Sequence, residues 1–265
     1  MQTTFAAFKQ IMKKNTGMKI SVLVLLLFSA IFLQLQSLPA YASISRISPE
    51  SPDKDSLTNT TDTRNNSFYS LYEGLELASM GLSRRAFEYA INGLEQLIQK
   101  GHIQNDDVIS IVDFSLPSSA KRLFVIDLAN NKLLFCTYVA HGNGSGLEYA
   151  NRFSNIPQSN KSSLGFYKTL NTYMGGHGYS LKLEGLERGI NDNANRRDIV
   201  IHGAAYVSEA LARSQGYIGR SQGCPALPEK IHKPIINTIK NGTCLFIYSP
   251  DRIYLKKSRI LNSRI

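Results

Sequence analysis

One stretch of this chain carries the parts of a covalent catalyst. Cys224 sits in Arg220-Ser221-Gln222-Gly223-Cys224-Pro225, and His202 closes the apolar run Asp198-Ile199-Val200-Ile201-His202-Gly203 upstream. A thiolate is a nucleophile, and a nearby imidazole takes its proton and lowers its pKa. The same imidazole can later return the proton to a leaving amine as general acid. Gly203 adds no bulk, so its backbone carbonyl can orient the ring, the third role in a triad. Gly223 lets the N–H groups of Gly223 and Cys224 turn toward one point, where an oxyanion could be held. Gln222 can assist with its side-chain amide or merely pack, and Ser221 can hold the turn by hydrogen bonding. Arg220 can meet a substrate carboxylate in bidentate fashion or form a structural salt bridge. His177, Tyr173 and Tyr206 are candidates to line a substrate groove, against the plainer readings of loop structure and aromatic packing. His141 carries the same pair of readings, whereas His102 and His232 look incidental.

These residues need a scaffold, and the chain reads as mainly β beyond residue 107. Val108 to Phe114 reads as a strand. Leu123 to Leu128 and Lys132 to Val139 read as a hairpin around Asn130-Asn131, residues that tolerate the positive φ of a tight turn. Residues 141–165, rich in Gly, Ser and Asn, read as a long surface loop. Tyr179 to Leu183 alternates as a strand, and Ile199 to His202 is an apolar strand with His202 near its exit. Ser208 to Arg213 reads as a short helix. Pro228 through Lys240 reads as a helix with proline at its start and Gly242 after its end, and Leu245 to Tyr248 is a final strand. Before this β region lies a helical pair within residues 67–101. Leu71, Leu75, Ala78 and Leu82 space a first helix, Ser83 can cap a second, and Phe87, Ile91, Leu94 and Ile98 continue its stripe to Gly101.

The residues around the thiol also carry a resemblance. Ile201-His202-Gly203 followed by Ser221-Gln222-Gly223-Cys224 resembles the YkuD-type murein L,D-transpeptidases, most closely the branch reading Ser-x-Gly-Cys-Pro-Ala, here Ser221 to Ala226. Leu123 to Asp127, Ala140-His141-Gly142, Gly165-Phe166-Tyr167 and Gly176 to Leu181 resemble that branch in the same order, so the similarity runs from about Asp107 to Pro250. Gln222 stands where the broader family has His. The resemblance implies a β-sandwich or barrel-like catalytic domain over 107–250, with a few short helices. It implies an enzyme acting on peptidoglycan stem peptides in the cell envelope. In that family the thiolate attacks the carbonyl of the third stem residue, whose reacting centre has the L configuration. The following D-residue leaves, and an amine of a second stem, or water, resolves the thioester. Wall cross-linking or remodelling is the implied role. An L,D-carboxypeptidase or endopeptidase using water is one alternative, and a noncatalytic wall-binding protein on the same fold is another.

Composition narrows the setting. Formal net charge is +10 over 265 residues, part of it from Lys9, Lys13, Lys14 and Lys19 with no acidic residue before Glu50. A basic chain can bind nucleic acid, but no basic–aromatic stripe is present. The lysines precede an apolar stretch from Ile20 to Leu33 and then Ala40-Tyr41-Ala42, the small-x-small form of a signal-peptidase site. Residues 1–42 therefore read as a signal peptide cleaved after Ala42, giving a periplasmic or envelope location. Residues 43–66, rich in Ser, Thr, Asn, Asp and Pro, read as a disordered linker. Residues 251–265 read as a solvated basic tail. Three cysteines leave at least one free. Cys224 is the obvious one, and Cys136 and Cys244 are either buried thiols or a disulfide. No cysteine has zinc-site spacing, and no Gly-rich loop has phosphate-cradling form, so no metal, nucleotide or other cofactor is expected.

Overall fold

The structure, a computed structural model, describes residues 70–263. The expected signal peptide at 1–42 and linker at 43–66 lie outside the described residues.

The first expected helix is only a short one. Residues 70–74 are helical, and turns replace the helix from 75 to 81. Glu76 has φ 50°, so the chain leaves the helix there. Leu77 and Leu82, not Ala78, become the buried residues, and the Tyr72 hydroxyl donates to the Leu82 carbonyl at 2.6 Å. The second helix forms as expected, as α1 (Arg84–Gln99), with the Ser83 hydroxyl accepting from Ala86 N–H. Its buried face carries Phe87, Ile91, Leu94 and Leu97.

The β region contains β1 (Val108–Asp113), β2 (Leu123–Asp127), β3 (Lys132–Thr137), β4 (Gly165–Gly175), β5 (Gly178–Gly185), β6 (Val200–Ala204), β7 (Ala226–Pro228) and β8 (Cys244–Tyr248). They make one sheet in the order β3-β2-β1-β8-β4-β5-β6-β7. β1–β8 and β6–β7 are parallel, and the other pairs are antiparallel. β8 is buried along its whole length, which its unbroken run Cys-Leu-Phe-Ile-Tyr suits. Asn131 takes φ 50° in the β2–β3 turn, as the sequence suggests. Beyond β3, Ala140 pairs with Ala226 of β7. The two outer strands of the order thus meet, and the sheet becomes a nearly closed, barrel-like one.

Several expectations are corrected here. β4, the longest strand, has no counterpart in the sequence reading. A bulge between Thr169 and Thr172 breaks its pairing with β5 and its alternation. Pro228 ends β7 instead of opening a helix, an edge position that tolerates its missing N–H, and the helix that follows, α3, is His232–Ile239. The short helix α2 (Glu209–Gln215) stands where expected, capped by Ser208. Residues 141–165 are mostly irregular but not superficial: His141, Ser145, Ser162 and Ser163 are buried. The C-terminal segment is not a solvated tail. It forms α4 (Arg252–Lys257) and α5 (Arg259–Asn262) and buries Tyr254, Ser258 and Ile260. Both Tyr254 and Ser258 donate to the buried Glu187 carboxylate, which also accepts from Phe166 N–H at 2.9 Å. Cys136 and Cys244 are free thiols. They lie on β3 and β8 with β2 and β1 between them. Three strand spacings of about 4.8 Å separate them, beyond the ~7 Å Cα reach of a disulfide.

α1 docks through a missing side chain. A Cβ on Gly93 would lie 2.0 Å from the Phe166 ring, which stacks on Phe246 at 4.2 Å. In an exposed helix, alanine for glycine gains about 1 kcal/mol. At this contact overpacking, worth about 1–3 kcal/mol, opposes that gain. Gly93→Ala is therefore expected to lower the urea midpoint. A raised midpoint would show that the α1–β4 contact is looser than described.

Candidate active site

β6 carries His202 at its centre, not at its exit. It pairs with Ser180 of β5 on one side and Ala226 of β7 on the other. Its ring Nδ1 lies 3.0 Å from the Gly203 carbonyl. A carbonyl only accepts, so Nδ1 carries the proton and Nε2 holds the free lone pair of a base. The glycine at 203 has a second reason, absent from the sequence reading: a Cβ there would lie 2.5 Å from His232 Nδ1. His232, incidental by sequence, thus packs against the backbone next to His202. Burial pushes the His202 pKa below the ordinary imidazole value, the Gly203 carbonyl opposes that shift, and the charges of His177 and His232 add to it.

The Cys224 turn is held from three sides. Within it, Ser221 Oγ donates to the Cys224 carbonyl at 2.6 Å and accepts from Gly223 N–H at 3.0 Å. The second bond commits the Gly223 N–H, which the sequence offered as an oxyanion donor, to the turn itself. Among the described residues no hydrogen bond engages the Cys224 N–H, and it remains the candidate donor. Alongside runs the segment after β3. Ser221 N–H donates to the His141 carbonyl, and Asn143 N–H to the Ser221 carbonyl. The third contact is Ser162, whose hydroxyl accepts from Gly142 N–H and donates to the Gly223 carbonyl. Gly223 has φ 128°, and a Cβ there would approach the Lys161 carbonyl to 2.9 Å, so both conformation and space require glycine.

Beneath the 140–143 segment lies Arg122, fully buried and without a carboxylate ion pair among the described residues. It donates to the carbonyls of Leu116 and Val139, rests over the Phe114 ring and bonds His141 Nδ1 at 2.7 Å. Guanidinium groups only donate, so His141 accepts at Nδ1 and donates from Nε2 to the Gly146 carbonyl at 3.3 Å. Burial, reinforced by the Arg122 charge, pushes His141 down to about 3, and burial lowers Arg122 to about 9. His141 is thus a neutral structural link, away from the cleft lining.

Cys224 and His202 share one cleft of about 700 Å³, which also takes Tyr173, His177, Tyr206 and Gln222. Ser221 reaches this cleft too, whereas Gly203 and Gly223 act from behind it. Gln222 is exposed. Tyr206 is raised to about 12 by burial, and Tyr173 lies under the Lys182 ammonium. Arg220 forms no salt bridge among the described residues and donates to the Gly146 carbonyl at 3.2 Å. Arg196, Arg197 and Arg220 line the cleft with one acidic residue, Asp198.

Sequence reasoning passed over Arg197. Its guanidinium donates to the Ser154 and Lys161 carbonyls and to the Ser163 hydroxyl, tying the 154–163 loop beside the cysteine. The signal was the pair Arg196-Arg197 directly before the strand of the base. The Cys224 thiol points to the Asp198 carbonyl at 3.5 Å, and no hydrogen bond joins it to His202 among the described residues. Burial raises the Cys224 pKa; Val200 N–H and Arg197 act in the opposite direction, and Asp198 reinforces it. Both shifts favour the uncharged forms, a thiol and a neutral imidazole in one cleft.

Comparison with known proteins identifies the family. The family model of the L,D-transpeptidase catalytic domain matches residues 78–248. The chain belongs to that family, whose members act on peptidoglycan. The matched residues include α1 as well as the β region. Among solved structures, the chain is similar to an L,D-transpeptidase from Mycobacterium smegmatis (13% identity, 54% of this chain and 59% of that one, TM-score 0.33). It is similar to an L,D-transpeptidase in complex with imipenem (14%, 54% and 60%, 0.32) and to the helical cell shape determining protein of Campylobacter jejuni (14%, 64% and 58%, 0.39). It spans about three-fifths of the length of these chains. No curated protein sequence matches it significantly.

The raised Cys224 pKa has a measurable consequence. Iodoacetamide alkylation of Cys224, read by peptide mass mapping so that Cys136 is separate, should accelerate only above the ~8.5 of a free thiol. A rate already maximal at pH 7 would instead show a thiolate–imidazolium pair.

Proposed function

We propose that the chain is an exported cysteine L,D-transpeptidase that acts on peptidoglycan stem peptides through a thioester on Cys224. One observation carries the reading: His202 has its Nδ1 tied to the Gly203 carbonyl, and so a basic Nε2, in the same cleft as Cys224. The thiol turns from the Asp198 carbonyl, His202 Nε2 takes its proton, and sulfur attacks the carbonyl of the third stem residue. The new oxyanion is held by the Cys224 N–H. When the tetrahedral carbon collapses, its C–N bond breaks, and His202 returns the proton to the departing amine of the D-residue. An incoming amine then attacks the thioester, loses its proton to His202, and sulfur leaves as the thiol. A depressed His202 pKa suits this sequence, because the base is unprotonated at neutral pH. The cationic cleft supports an anionic substrate: Arg220 and Arg196 are placed to receive stem carboxylates. Tyr173 and Tyr206 supply apolar walls for the backbone of the stem. The leader at residues 1–42 directs the protein to the envelope, where this substrate lies.

Disaccharide-tetrapeptide stems test the reading. Wild-type protein should release the terminal D-residue and form cross-linked dimers. Cys224→Ala should form none, and His202→Ala should be slower by about 10²–10⁴-fold, the usual weight of general acid–base catalysis. Tripeptide without dimers would identify water as the acceptor. Intact tetrapeptide after incubation with folded, reduced wild type would contradict the catalytic reading.

A further inference from the structure

His202 lines the cleft, yet only 2% of it is exposed. Part of its cover comes from another imidazole. His177 sits in the two-residue turn between Gly175 and Gly178, which pair across the end of the β4–β5 hairpin. Its ring lies 4.3 Å from that of His202 with the planes 19° apart. His177 itself is exposed and makes no hydrogen bond among the described residues, so the stack is its main side-chain contact. The turn is built to carry it: Gly178 takes φ 73°, and a Cβ on Gly175 would strike the Tyr173 ring at 2.6 Å. The Gly203 carbonyl holds His202 only along one edge of its ring, at Nδ1. A stacked partner restrains what an edge contact leaves free, the tilt of the ring plane.

We propose that His177 is a positioning residue for the base: its ring covers one face of His202, fixes the ring plane and keeps water from it. The inference rests on the reading of His202 as the base, and assigns His177 to that base and not to substrate. The groups that face His202 are His177 from the hairpin and His232 from α3. Cys224, Arg197, Asp198, Tyr206 and Arg220 share its cleft. Of these only His177 lies on its ring face at stacking distance. Removing it admits water to the imidazole and deletes one neighbouring positive charge at low pH. Both changes favour the imidazolium, so the acid limb of the reaction moves to higher pH.

The test compares His177→Ala with His177→Phe, which keeps a flat ring without a titrating nitrogen. His177 is exposed, so neither change disturbs the core. In ¹³C- or ¹⁵N-histidine NMR of the Cys224→Ala protein, His202 should titrate at higher pH with Ala at 177 and shift clearly less with Phe, which removes the charge but keeps the cover. This readout needs no turnover, so it stands even if the transpeptidase reading fails. With stem peptide, Ala at 177 should lower kcat at pH 6 on the order of ten- to a hundredfold, the scale of a misplaced catalytic group, with KM little changed and Phe recovering most of the loss. An unchanged His202 titration with Ala at 177, or a rise in KM with kcat preserved, would overturn the proposal and make His177 a substrate contact.

Discussion

The seam between residues 140–143 and 221–226 is the constraint on which the site depends. An open sheet ends in two rows of unpaired N–H and C=O groups, and here the outer strands β3 and β7 are brought together by the Ala140–Ala226 pairing. The chain that makes this closure also carries Cys224. On one side of the seam the Ser221–Cys224 turn closes on its own hydroxyl, and on the other the His141 carbonyl and Asn143 amide receive and give its backbone bonds. β7, the next strand along, pairs with the strand that carries His202. His202 and Cys224 are therefore positioned by adjacent hydrogen-bonded backbone.

Electrostatics follow from where the seam lies. Arg122 is buried below it with backbone carbonyls, a neutral histidine and an aromatic face as partners. A buried cation is tolerated when its donors are satisfied and harmful when they are not, so this arrangement holds His141 neutral and in one tautomer. Around the cleft, burial outweighs the local charges. It raises Cys224 and lowers His202, which favours the uncharged form of both groups. A neutral thiol is also less open to oxidation, because reactivity with oxidants follows thiolate character.

Much of this was legible in the sequence where the signal was local. The stripe of α1, the Asn130-Asn131 turn and the spacing of His202 and Cys224 need only neighbouring residues. β4 escaped because its bulge at Thr169–Thr172 destroys the alternation that marks a strand. The C-terminal helices escaped because their anchor, Glu187, is some seventy residues away and their lysines and arginines dominate the composition. At Gly203 the carbonyl meets the His202 ring as the sequence suggests, and the packing of His232 adds a second demand for glycine; at Gly223 the N–H serves the turn, and crowding at the Lys161 carbonyl demands glycine there. His177 could be seen as a histidine among glycines, but its partner became visible only once the β4–β5 hairpin was in place. Arg197 lay in view beside the strand of the base, without a pattern to mark it.

The account stands on a Cys224 thiol that becomes a nucleophile when an acyl group enters the cleft. Intact-mass spectrometry after incubation with imipenem tests that most directly. The account predicts one covalent adduct on freshly reduced wild-type protein and none on Cys224→Ala. No adduct on folded wild type, or an equal adduct on both proteins, would contradict it.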